Sequence, residues 1–177
     1  MVRALERHIA TPESKNFERW FEELRGPLYR YLRTAGCRHA LAEEITQEAF
    51  LRLHNSLDAP LEIIDVRAWV FRVARNLWID SRRFDDRYRR PSGDEEEITE
   101  WDFPATSPDP EQQAIDRQQR LQIAHQLSRL PELQRECLNL KARGLRYTEI
   151  AAILNISTTA AVDYVRRAVK KLGKLFR

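Results

Sequence analysis

Between Val66 and Arg83 the apolar residues return every three to four positions, at Val66, Trp69, Val70, Val73 and Leu77. Arg72, Arg75, Asn76, Arg82 and Arg83 fall on other sides. Only an α-helix sorts this spacing into one buried stripe and one polar stripe, because its 3.6-residue period keeps i, i+3 and i+4 on a common face. The spacing predicts a helix from Asp65 to about Arg83, whose buried stripe holds the polar one rigid. That polar stripe offers guanidiniums for phosphates and an amide able to read a base edge, with the aromatic Trp78 nearby as a surface for stacking. These are the parts needed to hold an unpaired DNA strand. A solvated basic face on an ordinary helix would have the same composition.

The helical pattern extends through most of the chain, which has only five glycines in 177 residues and little period-two alternation. Phe17, Trp20, Phe21, Leu24, Leu28 and Leu32 mark a first helix, with Gly26-Pro27 as the point where it can be interrupted. Leu41, Ile45, Ala49, Leu53 and Leu57 mark a second, with Phe50 widening its apolar face, and Asp58-Ala59-Pro60 closes it. Together with the Asp65 helix these can bury one modest core. Further on, Ile115, Leu121, Ala124, Leu127 and Leu130 continue the period up to Pro131, which suits the first turn of the next helix. There Leu133, Cys137 and Leu140 are expected to face inward, and Gly144 suits a left-handed stop.

Charge divides the chain more sharply than its net value of +3 suggests. Residues 1–93 hold 17 Lys/Arg and 14 Asp/Glu, residues 94–116 hold 9 acidic and no basic residues, and residues 117–177 hold 13 basic and 4 acidic. The last third is therefore a basic unit suited to neutralising phosphates. The acidic stretch before it, bounded by Pro91-Ser92-Gly93 and Ser107-Pro108-Asp109-Pro110, reads as a flexible linker. Trp101 and Phe103 are unexpected in a solvated tether, and either packing back on a domain or docking on a partner would account for them.

The segment from Tyr147 to Ala168 is spaced as a helix-turn-helix. Ala151 is small enough for two helices to approach, Asn155 can take the left-handed turn, and Ser157 can cap the second helix. Ile150, Ile153, Leu154, Ile156, Ala161 and Val165 can share a small core. The second helix then offers Thr158, Thr159, Val162, Asp163 and Arg166 outward, with Arg167, Lys170 and Lys171 as phosphate contacts. A structural helical hairpin is the alternative, and the basic second helix favours DNA.

Three blocks together resemble the extracytoplasmic-function sigma factors of bacteria, within the sigma-70 family. Arg67-Ala68-Trp69-Val70-Phe71-Arg72-Val73-Ala74-Arg75-Asn76-Leu77-Trp78-Ile79-Asp80-Ser81-Arg82-Arg83 resembles the segment that melts DNA and recognises the -10 element. Ala42 to Leu53 is similar to the polymerase-binding helix, and Leu130 to Leu172 resembles the -35-reading domain. The blocks stand in the family's order and cover nearly everything from Phe17 to Leu172.

The resemblance implies an all-α chain of two small helical domains: a region 2-like bundle over residues 14–90, an acidic linker over 91–112, and a region 4-like helix-turn-helix domain over 113–177. It implies that core RNA polymerase is bound through the clamp of its largest subunit and its flap region. Glu43, Glu44, Gln47 and Glu48 would supply acceptors to basic groups of the clamp. A flipped -10 base would be captured near Asn76 and the loop from Leu57 to Val66, with Arg72, Arg75, Trp78, Asp80, Arg82 and Arg83 along the strand. Ser157, Thr158, Thr159, Val162, Asp163, Arg166, Arg167, Lys170 and Lys171 would face the -35 duplex. A separate anti-sigma factor is a further implied partner.

Several departures from the family pattern limit what carries over. Asn155 replaces the usual turn glycine, Ala161 a core valine, and Arg146 a capping Ser or Thr. Val162 and Asp163 stand where groove-facing residues are more often polar or basic, so the fold is expected to survive but the -35 preference does not transfer.

Other classes fit less of the chain. HExxH, GxxxxGK[ST] and paired Cys/His ligands are absent from the sequence, so an enzyme, a metal site or a cofactor is not expected. Cys37 and Cys137 have no neighbouring thiol and are expected to be small buried hydrophobes. The amino terminus mixes charges without the apolar run of a signal peptide, and no stretch reaches transmembrane length, which points to a cytoplasmic protein without membrane insertion. A stand-alone helix-turn-helix regulator would explain the last third but leave the Arg67 to Arg83 helix without a role.

Overall fold

A computed structural model describes residues 12–57, 63–88 and 122–173. Among these there are seven helical segments and no strand. They are α1 (Pro12–Thr34), α2 (His39–Leu57), α3 (Val66–Tyr88), α4 over residues 122–128, α5 (Glu132–Ala142), α6 (Tyr147–Leu154) and α7 (Thr158–Gly173). The acidic linker, with Trp101 and Phe103, lies outside the described residues, as do 58–62 of the α2–α3 loop.

α1 runs unbroken through Pro27. A proline inside a helix removes one backbone hydrogen bond and crowds the preceding turn, at about 3 kcal/mol. Leu24, Leu28, Tyr31 and Leu32 are all buried on the same helix, and each large apolar side chain taken from water contributes about 1.5–3 kcal/mol. Packing therefore outweighs the local break. The helix ends at Gly36, whose φ of 92° lets the Cys37 N–H turn back to the Leu32 carbonyl at 3.0 Å.

α2 buries Ala42, Ile45, Thr46, Ala49, Phe50 and Leu53. The polar member, Thr46, satisfies its hydroxyl by donating to the Ala42 carbonyl at 2.7 Å. α3 is capped by Asp65, whose Oδ1 accepts from the Ala68 N–H at 3.0 Å. Its deepest residues are Val70, Phe71 and Ala74, all fully buried, whereas Val66, Trp69, Val73 and Leu77 are only half-buried against the same core. The buried stripe is thus displaced by one position from the expected one, because α3 packs against α1 and α2 and also against α6. It also continues to Tyr88, beyond the expected end near Arg83.

Pro131 stands immediately before α5, as its cap residue and not within its first turn. Cys137 and Leu140 are buried as expected, but Leu133 is 36% exposed and Gln134 is the buried residue of that turn. Gly144 has a φ of 82°, as its role as a left-handed stop requires. One core cluster runs through α1, α2 and α3 and on through α5, α6 and α7. A second, around Leu127, Leu130 and Ala168, joins α4 to α7. Both cysteines are free and buried, and burial pushes the Cys37 thiol up to about 12 and the Cys137 thiol up to about 11.

Candidate polymerase and nucleic-acid interfaces

Three exposed faces carry the residues singled out in the sequence. On α2, burying Ala42, Ile45, Ala49 and Leu53 turns Glu43, Glu44 and Gln47 outward. Glu48 is half-buried and already engaged, with its Oε1 accepting from Arg52 Nε at 2.7 Å. Beside this face, Phe21, Arg25, Tyr29 and His39 join Glu43 and Gln47 around a cleft of about 480 Å³. Tyr29 and His39 are hydrogen-bonded at 2.8 Å, which fixes the wall of the cleft. An acidic and amide-rich face next to an aromatic groove can receive a helix with basic side chains.

On α3, Arg72, Asn76, Asp80 and Arg83 are exposed at spacings of four, four and three, which aligns them along one side of the helix. Asp80 and Arg83 approach to 3.8 Å. Trp78 is half-buried and packs on the core instead of standing free, with the Arg82 guanidinium 5.9 Å from its ring centroid. Ile64, just before the helix, is 97% exposed.

Arg75 departs from the rest of the stripe. Its Nε and Nη2 donate to Oε1 and Oε2 of Glu136 on α5, both at 3.0 Å, and the two side chains are only 19% and 16% exposed. Burial is the largest single influence on its guanidinium and works against the charge, yet the bond and attraction to Glu136 outweigh it and raise the pKa. Arg82 Nη1 likewise lies 3.5 Å from Glu132 Oε1. The sequence carries no signal for these pairs, whose members lie 50 or more positions apart. No periodicity links one helix's polar stripe to another's.

The helix-turn-helix is built as its spacing requires. Asn155 takes φ 54° and ψ 50°, and Ser157 Oγ accepts from the Ala160 N–H at 3.1 Å. At the start of α6 the Glu149 carboxylate accepts from the Arg146 N–H, the reach-back half of a capping box, and the Arg146 guanidinium donates to Glu149 and, at 3.2 Å, to Asp65 before α3. Ala161, Val165 and Ala168 bury one side of α7. Thr158, Thr159, Val162, Arg166, Arg167, Lys170 and Lys171 are exposed, as is Ser157 before them, while Asp163 is half-exposed and accepts from Arg166 at 2.7 Å. Threonines at the N-terminal end are followed by two arginines and two lysines, so hydroxyls able to bond a base edge precede cations able to pair with phosphate.

The sigma-70 region 2 profile matches residues 20–88, and the sigma-70 region 4 profile matches residues 120–172. The chain belongs to the sigma-70 family. Its likeness is to the extracytoplasmic-function members. It is 28% identical over 168 residues to the ECF RNA polymerase sigma factor BldN of Streptomyces coelicolor, an alignment covering 92% of this chain and 61% of that protein. It is 32% identical over 133 residues to the probable RNA polymerase sigma factor RfaY of Xanthomonas campestris, covering 73% of this chain and 32% of that protein. The chain thus spans about a third and three-fifths of the length of these relatives. In fold it is similar to the sigma factor RpoE of Bartonella quintana, solved with the anti-sigma factor NepR, at a TM-score of 0.68 and 22% identity over 92% of this chain and 97% of that one. Among the described residues of this chain, no helix is long and apolar enough to cross a membrane and no group of three or more His, Cys, Asp and Glu could hold a metal ion.

Proposed function

We propose that this sigma-70 family chain binds core RNA polymerase and directs it to particular promoters by reading their -10 and -35 elements, working in the cytoplasm without covalent chemistry of its own. The observation that carries this reading is one chain with an exposed polar stripe on a region 2 helix and a helix-turn-helix with a basic second helix in region 4. Residues 14–90 form the polymerase-binding and -10 unit, 91–112 the linker and 113–177 the -35 unit. Glu43, Glu44 and Gln47 meet the clamp of the largest subunit, with Glu48 contributing once Arg52 releases it. Arg72, Asn76, Asp80, Arg82 and Arg83 hold the unpaired strand, joined by Arg75 and backed by Trp78. Thr158, Thr159, Val162, Asp163 and Arg166 face the -35 bases, while Arg167, Lys170 and Lys171 hold phosphates and Ser157 caps the reading helix.

An anti-sigma factor is the expected inhibitor, a reading supported by the complex in which the Bartonella protein was solved. Run-off transcription with purified core polymerase over a library of genomic fragments tests the proposal. Promoter-specific transcripts that require both components are expected, together with weak duplex binding by the chain alone, since two small reading units act jointly only when a scaffold fixes their spacing. Tight, specific operator binding by the isolated chain, with no gain from core, would instead make it a stand-alone regulator.

A further inference from the structure

The outer side of α7 carries two side chains that already bond one another. Thr159, Asp163, Arg166 and Lys170 recur at spacings of four, three and four, opposite the buried Ala161, Val165 and Ala168. On that line Arg166 Nη2 donates to Asp163 Oδ1 at 2.7 Å, with the two side chains 73% and 35% exposed. An exposed ion pair one turn apart on a helix adds little to folding. A carboxylate on a helix bound for phosphate-lined DNA also works against affinity. Neither the fold nor general DNA binding therefore accounts for Asp163.

The bond uses one of the five guanidinium N–H groups and one of the two carboxylate oxygens. What is left is a set of donors on Arg166 beside an acceptor, Oδ2, on Asp163. The bond also fixes where they stand, because it draws the guanidinium back over the turn of Asp163, toward the N-terminal end of α7. Arg166 lies eight residues beyond Thr158, about 12 Å along the helix and about the width of the major groove. Val162, 38% exposed on the same face, adds an apolar side chain that suits a thymine methyl. Base edges, more than phosphates, complement this part of the helix.

Across the major groove a G·C pair presents two acceptors, guanine N7 and O6, followed by a donor, the N4 amino group of cytosine. Two donors followed by an acceptor complement that order. We propose that Arg166 and Asp163 read one G·C pair of the -35 element as a unit, the guanidinium donating to guanine O6 and N7 and Asp163 Oδ2 accepting from N4 of the paired cytosine. This rests on the reading of α7 as the -35 helix. A reversed C·G pair sets the N4 donor against the guanidinium and an acceptor against the carboxylate, and an A·T pair sets thymine O4 there. The carboxylate thus rejects pairs that a guanidinium alone tolerates, exchanging overall DNA affinity for selectivity.

The test uses the chain with core polymerase, first on promoters with a randomised -35 element and then on the selected promoter with base analogues. The parent is expected to select a G·C pair of fixed orientation at one position, and Asp163→Ala and Arg166→Ala each to relax that same position about tenfold. Pyrimidin-2-one in place of the selected cytosine removes N4; it should lower initiation by the parent about tenfold and cause no further loss in Asp163→Ala. Placing 7-deazaguanine opposite it removes N7, a change that the parent should register and Arg166→Ala should not. Relaxation at two different positions overturns the proposal, since the two residues then read separately. Unchanged selectivity in Asp163→Ala also overturns it and leaves the carboxylate as a support within α7. If Thr159→Ala and Lys170→Ala then leave both selectivity and promoter strength unaltered as well, the fault lies in the reading of α7 as the -35 helix.

Discussion

Arg166 on α7 donates to Asp163 Oδ1 at 2.7 Å, one turn back along the same helix. The pair sits at the centre of the face proposed to enter the -35 groove, where a guanidinium would fork onto guanine. Asp163 holds that guanidinium in place and claims one of its donors. Replacing Asp163 with Ala should therefore change which -35 sequences support transcription, and Arg166→Ala should relax selectivity at one position. Lys170→Ala or Lys171→Ala should instead weaken all promoters alike and reduce the salt slope by about one. Comparing each variant over a randomised -35 library checks this, and an Arg166 change that lowers every promoter equally removes the base-reading role.

Asn76 is exposed on α3, in line with Arg72 and Asp80. Its amide can donate and accept together, as reading a flipped base requires. Asn76→Ala should weaken binding of a single-stranded -10 oligonucleotide by the polymerase complex by about 1–3 kcal/mol. Because the side chain is solvent-facing, the melting temperature should stay within a degree or so of the parent's. Loss of thermal stability with unchanged oligonucleotide affinity would make the residue structural.

Glu44 and Gln47 are exposed on α2, and their charges and amides are not needed to pack it. Glu44→Lys combined with Gln47→Lys should abolish co-purification with core polymerase while leaving the far-ultraviolet circular dichroism unchanged. Retention of core binding would move the polymerase contact off this face.

The thiols predict an alkaline limit to stability. Cys37 and Cys137 are raised by burial from an ordinary value of 9.0 to about 12 and about 11. A folded-state pKa above the unfolded one gives stability that is complete below about pH 9 and drains as pH rises toward the folded values. Each thiol contributes at most about 1.4 kcal/mol per pH unit over that window. Urea midpoints measured from about pH 8 to about pH 10.5 should fall for the parent, and fall less for Cys37→Ala at matched starting stability. An equal slope in the variant would assign the alkaline loss elsewhere.

Much of this molecule is legible in its sequence because much of it is local. Helical periods mark α2, α3 and α7, and the left-handed Asn155 and the cap at Ser157 follow from what those side chains can do within a few residues of backbone. Exposure of Glu43, Glu44, Gln47, Asn76 and the recognition-helix residues follows from which side of each helix is apolar. Tertiary structure decided what depends on which faces meet. Packing of Leu24, Leu28 and Tyr31 carried α1 through Pro27, and the approach of α6 moved the buried stripe of α3 onto Phe71 and Ala74. The docking of α5 left Leu133 exposed and gave Arg75 to a carboxylate 61 residues away. Periodicity states that a residue leaves its helix on the polar side; whether water, DNA or another helix waits there is set by long-range packing, which no local pattern encodes.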